Sequence, residues 1–317
     1  MTERFAVIGG AGFIGHHLSH ELLRSGNKVL VVDNFCSGNE NYLKGFKNHP
    51  NFSLARINVE DTNKLTPLLA EVDTVVHLAS NPDISKAVLD PRIDFVQGTV
   101  LTESVIEASR KSGVNTILYA SGSGVYGDGG ENILTEISAV NPISTYGASK
   151  LAGESLLSAY SFMFGVRSVI FRFANVVGSK QTHGVGFDFL NKLSKEKTSL
   201  RILGDGKQRK SYVHISDLIS GLMLAYNKSE QINNVYNIST NDQLSVDEIA
   251  FMAVEAVGLN PDLVKLDYEG GNRGWKGDVP VVRLSSDKLT KLGWKPNYSS
   301  REAMKSALTS MSEEMNE

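Results

Sequence analysis

The sequence predicts an α/β fold: a doubly wound parallel sheet with a smaller, mixed α/β lobe toward the C-terminus. Three observations predict it. Through the first half, short apolar runs alternate with longer segments of helical periodicity. The first apolar run ends in a glycine-rich turn that opens one of those segments. After about Asn175 the rhythm weakens, and glycine loops with short elements replace it.

The apolar runs are Arg4–Ile8, 28–32, 52–57, 74–78, Thr116–Ala120 and 168–173. They are almost continuously apolar, as parallel strands are when both sheet faces are covered. Between them, 12–25, 92–112 and Thr145–Phe164 carry helical periodicity. The division expected is a dinucleotide-binding domain over 1–175. A predominantly substrate-binding lobe over 176–317 would follow, from which the chain can cross back to the sheet. The second part contains the loops Gly184-Val185-Gly186, Gly204-Asp205-Gly206 and Gly270-Gly271. No Pro/Ser-rich linker parts the two, so close packing with a ligand cleft at the C-terminal strand ends is expected.

The turn after the first strand reads Gly9-Gly10-Ala11-Gly12-Phe13-Ile14-Gly15. Glycines at Gly9 and Gly12 allow a tight turn and a close backbone approach to a pyrophosphate, and Gly15 lets helix pack on strand. The helix start at Phe13 and Ile14 offers unpaired N–H groups and a positive dipole end. The next strand ends in Asp33, where a carboxylate binds the adenosine ribose and repels a 2′-phosphate. This order, strand, glycine turn, helix, strand and acid, is a Rossmann dinucleotide site, and it favours NAD over NADP.

A second motif is Tyr146-Gly147-Ala148-Ser149-Lys150. At i and i+4 on one helical face, the lysine ammonium is expected to lower the tyrosine pKa toward the working pH. Such a tyrosine can take a proton from a sugar hydroxyl while a hydride leaves the same carbon, and the lysine can also bind the nicotinamide ribose. A strand ends at Ala120, and Ser121-Gly122-Ser123-Gly124-Val125-Tyr126-Gly127 follows it, placing hydroxyls at the same end of the sheet. Ordinary turn chemistry would favour the same residues.

Composition restricts the alternatives. A net charge of −3 leaves no basic field for nucleic acid or an anionic membrane. The single cysteine, Cys36, rules out an intrachain disulfide and suggests a reducing compartment, so a cytoplasmic protein is expected. No charged-then-apolar leader precedes the first strand, and no membrane-length apolar run occurs. No metal is called for.

Taken together, these motifs resemble the extended short-chain dehydrogenase/reductases, the NAD-dependent epimerase/dehydratase family. They are the loop 9–15, Asp33-Asn34, His77-Leu78-Ala79-Ser80, Val125-Tyr126-Gly127, Tyr146-x-x-x-Lys150, Arg172-Phe173-Ala174-Asn175-Val176-Val177-Gly178 and Gly204-Asp205-Gly206-Lys207-Gln208. Gly270-Gly271-Asn272-Arg273-Gly274-Trp275-Lys276-Gly277-Asp278-Val279-Pro280 completes the set and is most similar to the archaeal and bacterial UDP-glucose 4-epimerase group. The resemblance covers nearly the whole chain and is more specific for the superfamily than for the substrate.

It implies Tyr146 as the base with Lys150 as its electrostatic partner. It places Asp33, Asn34, Ser37, Gly38, Asn58 and Val59 around the adenosine. Leu78, Ala79, Ser80 and Ala120 would lie along the pyrophosphate and ribose, and Phe173 and Val176 at the nicotinamide. Asn175, His183, Gly184, Val185, Lys210, Tyr212, Arg273 and Val282 would face the sugar nucleotide, although both cations could equally be ordinary surface residues. A homodimer through the helices at 92–112 and Thr145–Phe164 is also implied, though their apolar residues fit burial within the chain equally well.

Two positions depart from the family. Its catalytic Ser/Thr position is Gly122 here, leaving Ser123 or Ser121 as a substitute. Its asparagine in the helix after the fourth strand is replaced by Phe95. A 4,6-dehydratase of this family needs an Asp-Glu pair before Val125, and a decarboxylase needs Glu at position 124, whereas Ser123-Gly124 stand there. A 4-epimerase needs no further acid or base. The expected function is therefore an NAD-dependent 4-epimerase of UDP-glucose/UDP-galactose or their N-acetylated analogues. Val282, small where bulk limits N-acetylated sugars, would leave room for them. Another nucleotide-sugar enzyme (reductase, dehydratase or uronate epimerase) and a non-catalytic NAD-binding regulator are the rival readings.

Overall fold

The computed structural model describes residues 2–316. Strand β1 (Arg4–Ile8) leads through α1 (Phe13–Arg24) to β2 (Lys28–Asp33) and then β3 (Phe52–Arg56). Helix α2 (Thr62–Leu68) precedes β4 (Thr74–His77). A short α3 (Arg92–Asp94) runs into a π-helical turn at Phe95–Val100 and then α4 (Leu101–Lys111). Strand β5 (Thr116–Ala120), α5 (Thr145–Phe164) and β6 (Arg167–Phe173) follow.

The remainder comprises β7 (Asn175–Val177), α6 (Val185–Lys195), β8 (Ser199–Ile202), β9 (Arg209–Lys210), β10 (Tyr212–His214), α7 (Ile215–Lys228) and β11 (Asn233–Ile238). Then come β12 (Leu244–Ser245), α8 (Val246–Ala256), β13 (Lys265–Tyr268), β14 (Val281–Val282), α9 (Asp287–Thr290) and α10 (Ser300–Asn316).

The main sheet has seven strands in the order β11-β6-β5-β4-β1-β2-β3, and the doubly wound fold is as the sequence predicts. The chain lays down β1, β2 and β3 in one direction, then returns to β1 and adds β4, β5 and β6 in the other, all pairing parallel. The reversal between β1 and β4 is the switch point at which such sheets bind ligands. Every residue of β4 and β5 is buried, the physical counterpart of their largely apolar runs. The seventh strand, β11, had no place in the alternating pattern of the first half.

The segment 92–112, expected as one helix, is interrupted by the π-helical turn. There Gly98 lies so close to α5 that a Cβ would overlap the Ser149 side chain. Only glycine fits, and an amphipathic period cannot report a turn of that kind.

The chain forms two compact units. One comprises Met1–Val125, Thr145–Arg172 and Leu222–Tyr236, and the other Tyr126–Ser144, Phe173–Gly221 and Asn237–Glu317. The first is built on Ala6, Ile8, Val32, Val75, Ile106, Ile117 and Ile170. The second packs α6, α8 and α10 through Phe189, Leu190, Ile249, Met304 and Leu308. Helix α8 starts on a capping box, with Ser245 accepting from the Glu248 backbone N–H and Glu248 accepting from that of Ser245. Among the described residues no helix is long and apolar enough to cross a membrane.

Candidate active site

At the switch point, the Leu78 and Ala79 N–H groups both donate to the Ile8 carbonyl, at 2.9 and 3.1 Å, which draws the segment after β4 against the glycine turn. Gly9 has φ +81°, and a Cβ on it would stand 2.9 Å from the Ala79 nitrogen. A Cβ on Gly15 would overlap the Gly9 carbonyl oxygen, so helix and turn touch backbone to backbone. Helix α1 starts at Phe13 with no side-chain cap and no acidic residue in its first turn, so Phe13 and Ile14 present free N–H groups. Asp33 Oδ2 accepts from the Ala11 N–H at 2.9 Å and Oδ1 from the Phe35 N–H at 2.8 Å. Gly38 is so close that a Cβ would meet Asp33 Oδ1 at 2.8 Å. Ser80 carries a buried hydroxyl with no well-formed hydrogen bond.

A side-chain-free cradle, an uncapped helix start and a held carboxylate fit a dinucleotide. Asn34 and Ser37 lie in the loop after Asp33, where Asn34 Oδ1 accepts from the Cys36 N–H at 3.0 Å. Asn58 is exposed and turned toward Glu60, 3.2 Å away. Val59, expected beside the adenine, has its side chain buried in the first unit's core.

Tyr146 and Lys150 start α5 in the same unit. Lys150 is 3% exposed, and its ammonium donates to the Ala120 carbonyl at 2.9 Å. It lies 5.5 Å from the Tyr146 ring centre and 5.3 Å from that of Tyr119. Burial pulls the Lys150 ammonium down to about 8, with the Asp94 carboxylate holding it up. Burial pushes the Tyr146 phenol up to about 12. Asp94 adds to that rise, and the nearby Ser80 hydroxyl opposes it. The expectation that Lys150 alone would bring the tyrosine down is thus not met. The ammonium is itself desolvated and turned to a carbonyl, and a buried anion faces the pair. Behind them His77 is buried and held neutral, its pKa pulled to about 3 by burial and by the Lys150 charge, with Nε2 3.0 Å from the Thr102 hydroxyl.

The serine loop separates the two candidate hydroxyls. Ser121 is buried, and its hydroxyl donates to Glu154 Oε1 at 2.5 Å. Glu154 is also paired with Arg172, the closest contact being 2.6 Å. Ser121 is therefore corrected from a catalytic candidate to a structural one, anchoring the loop to α5. Ser123 begins the 3₁₀ turn Ser123–Tyr126 and stays partly exposed. A Cβ added at Gly122 would meet nothing within 4 Å, so the lack of a side chain there is not a steric demand.

Sequence reasoning missed Asp94, Asn81, Thr145 and Glu154. Asp94 and Asn81 gave no signal, being lone polar residues in expected helix and loop. Thr145 had one, as a hydroxyl at a helix start. Glu154 continues the Tyr146/Lys150 face by another four residues.

In the second unit Phe173 and Val176 are half-buried and Asn175 is exposed, with β7 pairing β10. His183 is exposed and its carbonyl accepts from Gln181 Nε2 at 2.7 Å. Gly184 (φ +97°) then caps α6, which begins at Val185. Lys210 and Arg273 meet on one residue: Lys210 Nζ is 2.5 Å from Asp278 Oδ1, and Arg273 donates to the Asp278 carbonyl while also pairing with Asp128 at 2.6 Å. Val282 is buried in β14 beside Lys210 in register. Tyr212, expected to face the substrate, is a correction: it is 4% exposed in the second unit's core, and burial raises its pKa.

Residues 5–239 match the NAD dependent epimerase/dehydratase family. The chain is 30% identical over 309 residues to the UDP-glucose 4-epimerase of Mycolicibacterium smegmatis, covering 95% of this chain and 96% of that protein. It is 27% identical over 302 residues to UDP-glucuronic acid decarboxylase 1 of Xenopus tropicalis, covering 93% of this chain and 68% of that one. A crystal structure of a UDP-galactose 4-epimerase superposes with a TM-score of 0.87 at 34% identity, covering 98% of this chain and 99% of that one.

Proposed function

The chain belongs to the NAD-dependent epimerase/dehydratase family, and from that premise we propose that it is a nucleotide-sugar 4-epimerase acting on UDP-glucose and UDP-galactose or their N-acetylated analogues. The observation that carries this reading is the Tyr146–Lys150 pair, beside which the buried carboxylates of α3 and α5 already have partners. These carboxylates are both occupied: Asp94 by Asn81 and Thr145, Glu154 by Ser121 and Arg172. Elimination across C5–C6 needs a free acid–base pair, and epimerisation at C4 does not. The likeness to a UDP-glucose 4-epimerase and to a UDP-galactose 4-epimerase supports the same choice.

NAD, the family's cofactor, supplies when bound an acceptor that stores a hydride and gives it back. This chain's residues do the rest. Tyr146 Oη takes the proton from the sugar 4-hydroxyl, and Ser123 hydrogen-bonds that oxygen. Lys150, protonated below about pH 8, is the proposed cationic partner of the tyrosine and of the nicotinamide ribose. The transient 4-keto sugar turns over and receives its proton back from the same tyrosine. Gly9, Gly12, Gly15 and the start of α1 hold the pyrophosphate, and Asp33 holds the adenosine ribose. In the second unit Lys210 and Arg273 are the residues proposed for the substrate diphosphate, and Asn175, His183, Gly184 and Val185 for the sugar nucleotide.

The exposed apolar end of α5, with Phe162 at 92% and Met163 and Phe164 beside it, supports the homodimer reading. Val105, Ile106 and Leu157, by contrast, lie in the first unit's own core.

The test is incubation with a panel of UDP-, dTDP- and GDP-sugars, with products identified by NMR. Interconversion of UDP-glucose and UDP-galactose is expected. A 4-keto-6-deoxy sugar or a pentose product would overturn the reading, as would NAD-loaded protein inert toward the whole panel. Turnover of UDP-galactose with none of UDP-N-acetylgalactosamine would remove the N-acetyl part, which rests on Val282.

A further inference from the structure

Asp94 is buried to 1% exposure beside the proton-transfer pair, and among the described residues no cation forms an ion pair with it. Its Oδ1 accepts from Asn81 Nδ2 at 2.8 Å and its Oδ2 from the Thr145 hydroxyl at 2.7 Å. Asn81 lies just past β4, and Thr145 is the residue immediately before Tyr146 at the start of α5. The carboxylate therefore bridges the segment after β4 to the first turn of the helix that carries both Tyr146 and Lys150. A buried anion held only by neutral donors is costly, and such a group is often retained for what its charge does to its neighbours.

We propose that Asp94 is a positioning residue whose buried carboxylate sets the protonation of the Tyr146–Lys150 pair. The proposal rests on Tyr146 being the base. The charge opposes desolvation of Lys150 and keeps its ammonium protonated at neutral pH, and the same charge makes the Tyr146 phenolate harder to form. One anion thus displaces both titrations in the same direction, toward higher pH.

Other titratable groups of the described residues lie around this point. From α5 they are Tyr146 and Lys150 themselves. From β4 comes His77, neutral, and from β5 Tyr119, whose phenol burial keeps protonated. In the segment after β4, Asp83 is paired with Lys86. On its own helix Arg92 is exposed.

The experiment is Asp94→Asn in the full-length protein, read two ways. The first reading is the Lys150 titration by NMR on protein labelled at lysine Cε, with Lys150→Met assigning the signal. The expected midpoint lies below the wild-type value by about one pH unit or more. The second is the pH profile of turnover on the nucleotide sugar the panel identifies, in which both limbs are expected to slide to lower pH. Thr145→Val, which cuts one hydrogen bond and keeps the charge, should lower the amplitude and leave both limbs in place. If Asn is not tolerated at this position, Asp94→Ser is read in the same way. An unmoved Lys150 midpoint overturns the proposal, and so does a fall in amplitude with unmoved limbs. Tyr146→Phe separates this failure from failure of the functional reading: if that variant keeps full turnover, the base assignment falls and not merely the role of Asp94.

Discussion

Charge is handled in opposite ways in two candidate clusters, one in each unit. At the proposed proton-transfer site of the first, Lys150, Asp94, Glu154 and Arg172 are all buried, and among the described residues neither Lys150 nor Asp94 forms an ion pair. In the second, Lys210, Arg273 and Arg209 each rest directly on a carboxylate, and all three keep contact with solvent. Buried charges shift the proton affinities of their neighbours by units, whereas exposed pairs are screened and contribute at most about 1 kcal/mol. The first arrangement suits proton chemistry that must be fixed before substrate arrives. The second suits a polyanion, because a diphosphate can compete with Asp278 and Asp128 for the same cations.

The contrast predicts effects of very different size. Tyr146→Phe should lower turnover by about 10²–10⁴-fold while leaving the thermal midpoint unlowered. A drop in stability matching the drop in rate would break the distinction. Glu154→Gln leaves Arg172 buried with half its partner and should cost about 3 kcal/mol or more in denaturant unfolding. Glu131→Gln, which cuts the solvent-exposed partner of Arg209, should cost less than about 1 kcal/mol.

Burial of Lys150 should also appear in the pH dependence of stability. Its folded pKa of about 8 lies below the free value of 10.5, so the folded protein binds fewer protons between them. The cost of burying the ammonium is fully present below about pH 8 and is relieved as pH rises toward 10.5. Wild-type stability relative to Lys150→Met should therefore increase across that window, and a constant difference would show the ammonium to be solvated.

A smaller effect concerns the serine loop. Ser123→Ala should cost about tenfold in turnover, the size of one hydrogen bond, and Gly122→Ser should recover part of it, since that position has room. If Ser121→Ala loses more rate than stability, Ser121 and not Ser123 is the working hydroxyl. The smallest effect is expected in the second unit. Lys210→Ala should raise KM several-fold, with little change in kcat or unfolding, because a uniform binding contact has been removed.

The fold was legible because its signals are local. Largely apolar runs, the glycine turn and Asp33 each follow from what a parallel strand or a pyrophosphate demands of adjacent residues. Tyr146 and Lys150 were legible for the same reason, being one helical turn apart. Ser121 and Ser123 were not separable, because what distinguishes them is a bond to Glu154 thirty-three residues away. Tyr212 looked like a substrate residue until packing placed it in a core. The broken helix at Phe95–Val100 depends on how closely Gly98 approaches Ser149, a distance between elements that no periodicity encodes.

The sequence by itself determined the doubly wound sheet and pointed to the glycine turn and the Tyr146–Lys150 pair as the proposed cofactor and proton-transfer residues. Only the tertiary structure decided the electrostatic setting of that pair. Desolvation and the Asp94 charge act through space, between residues that the chain keeps far apart and folding brings together.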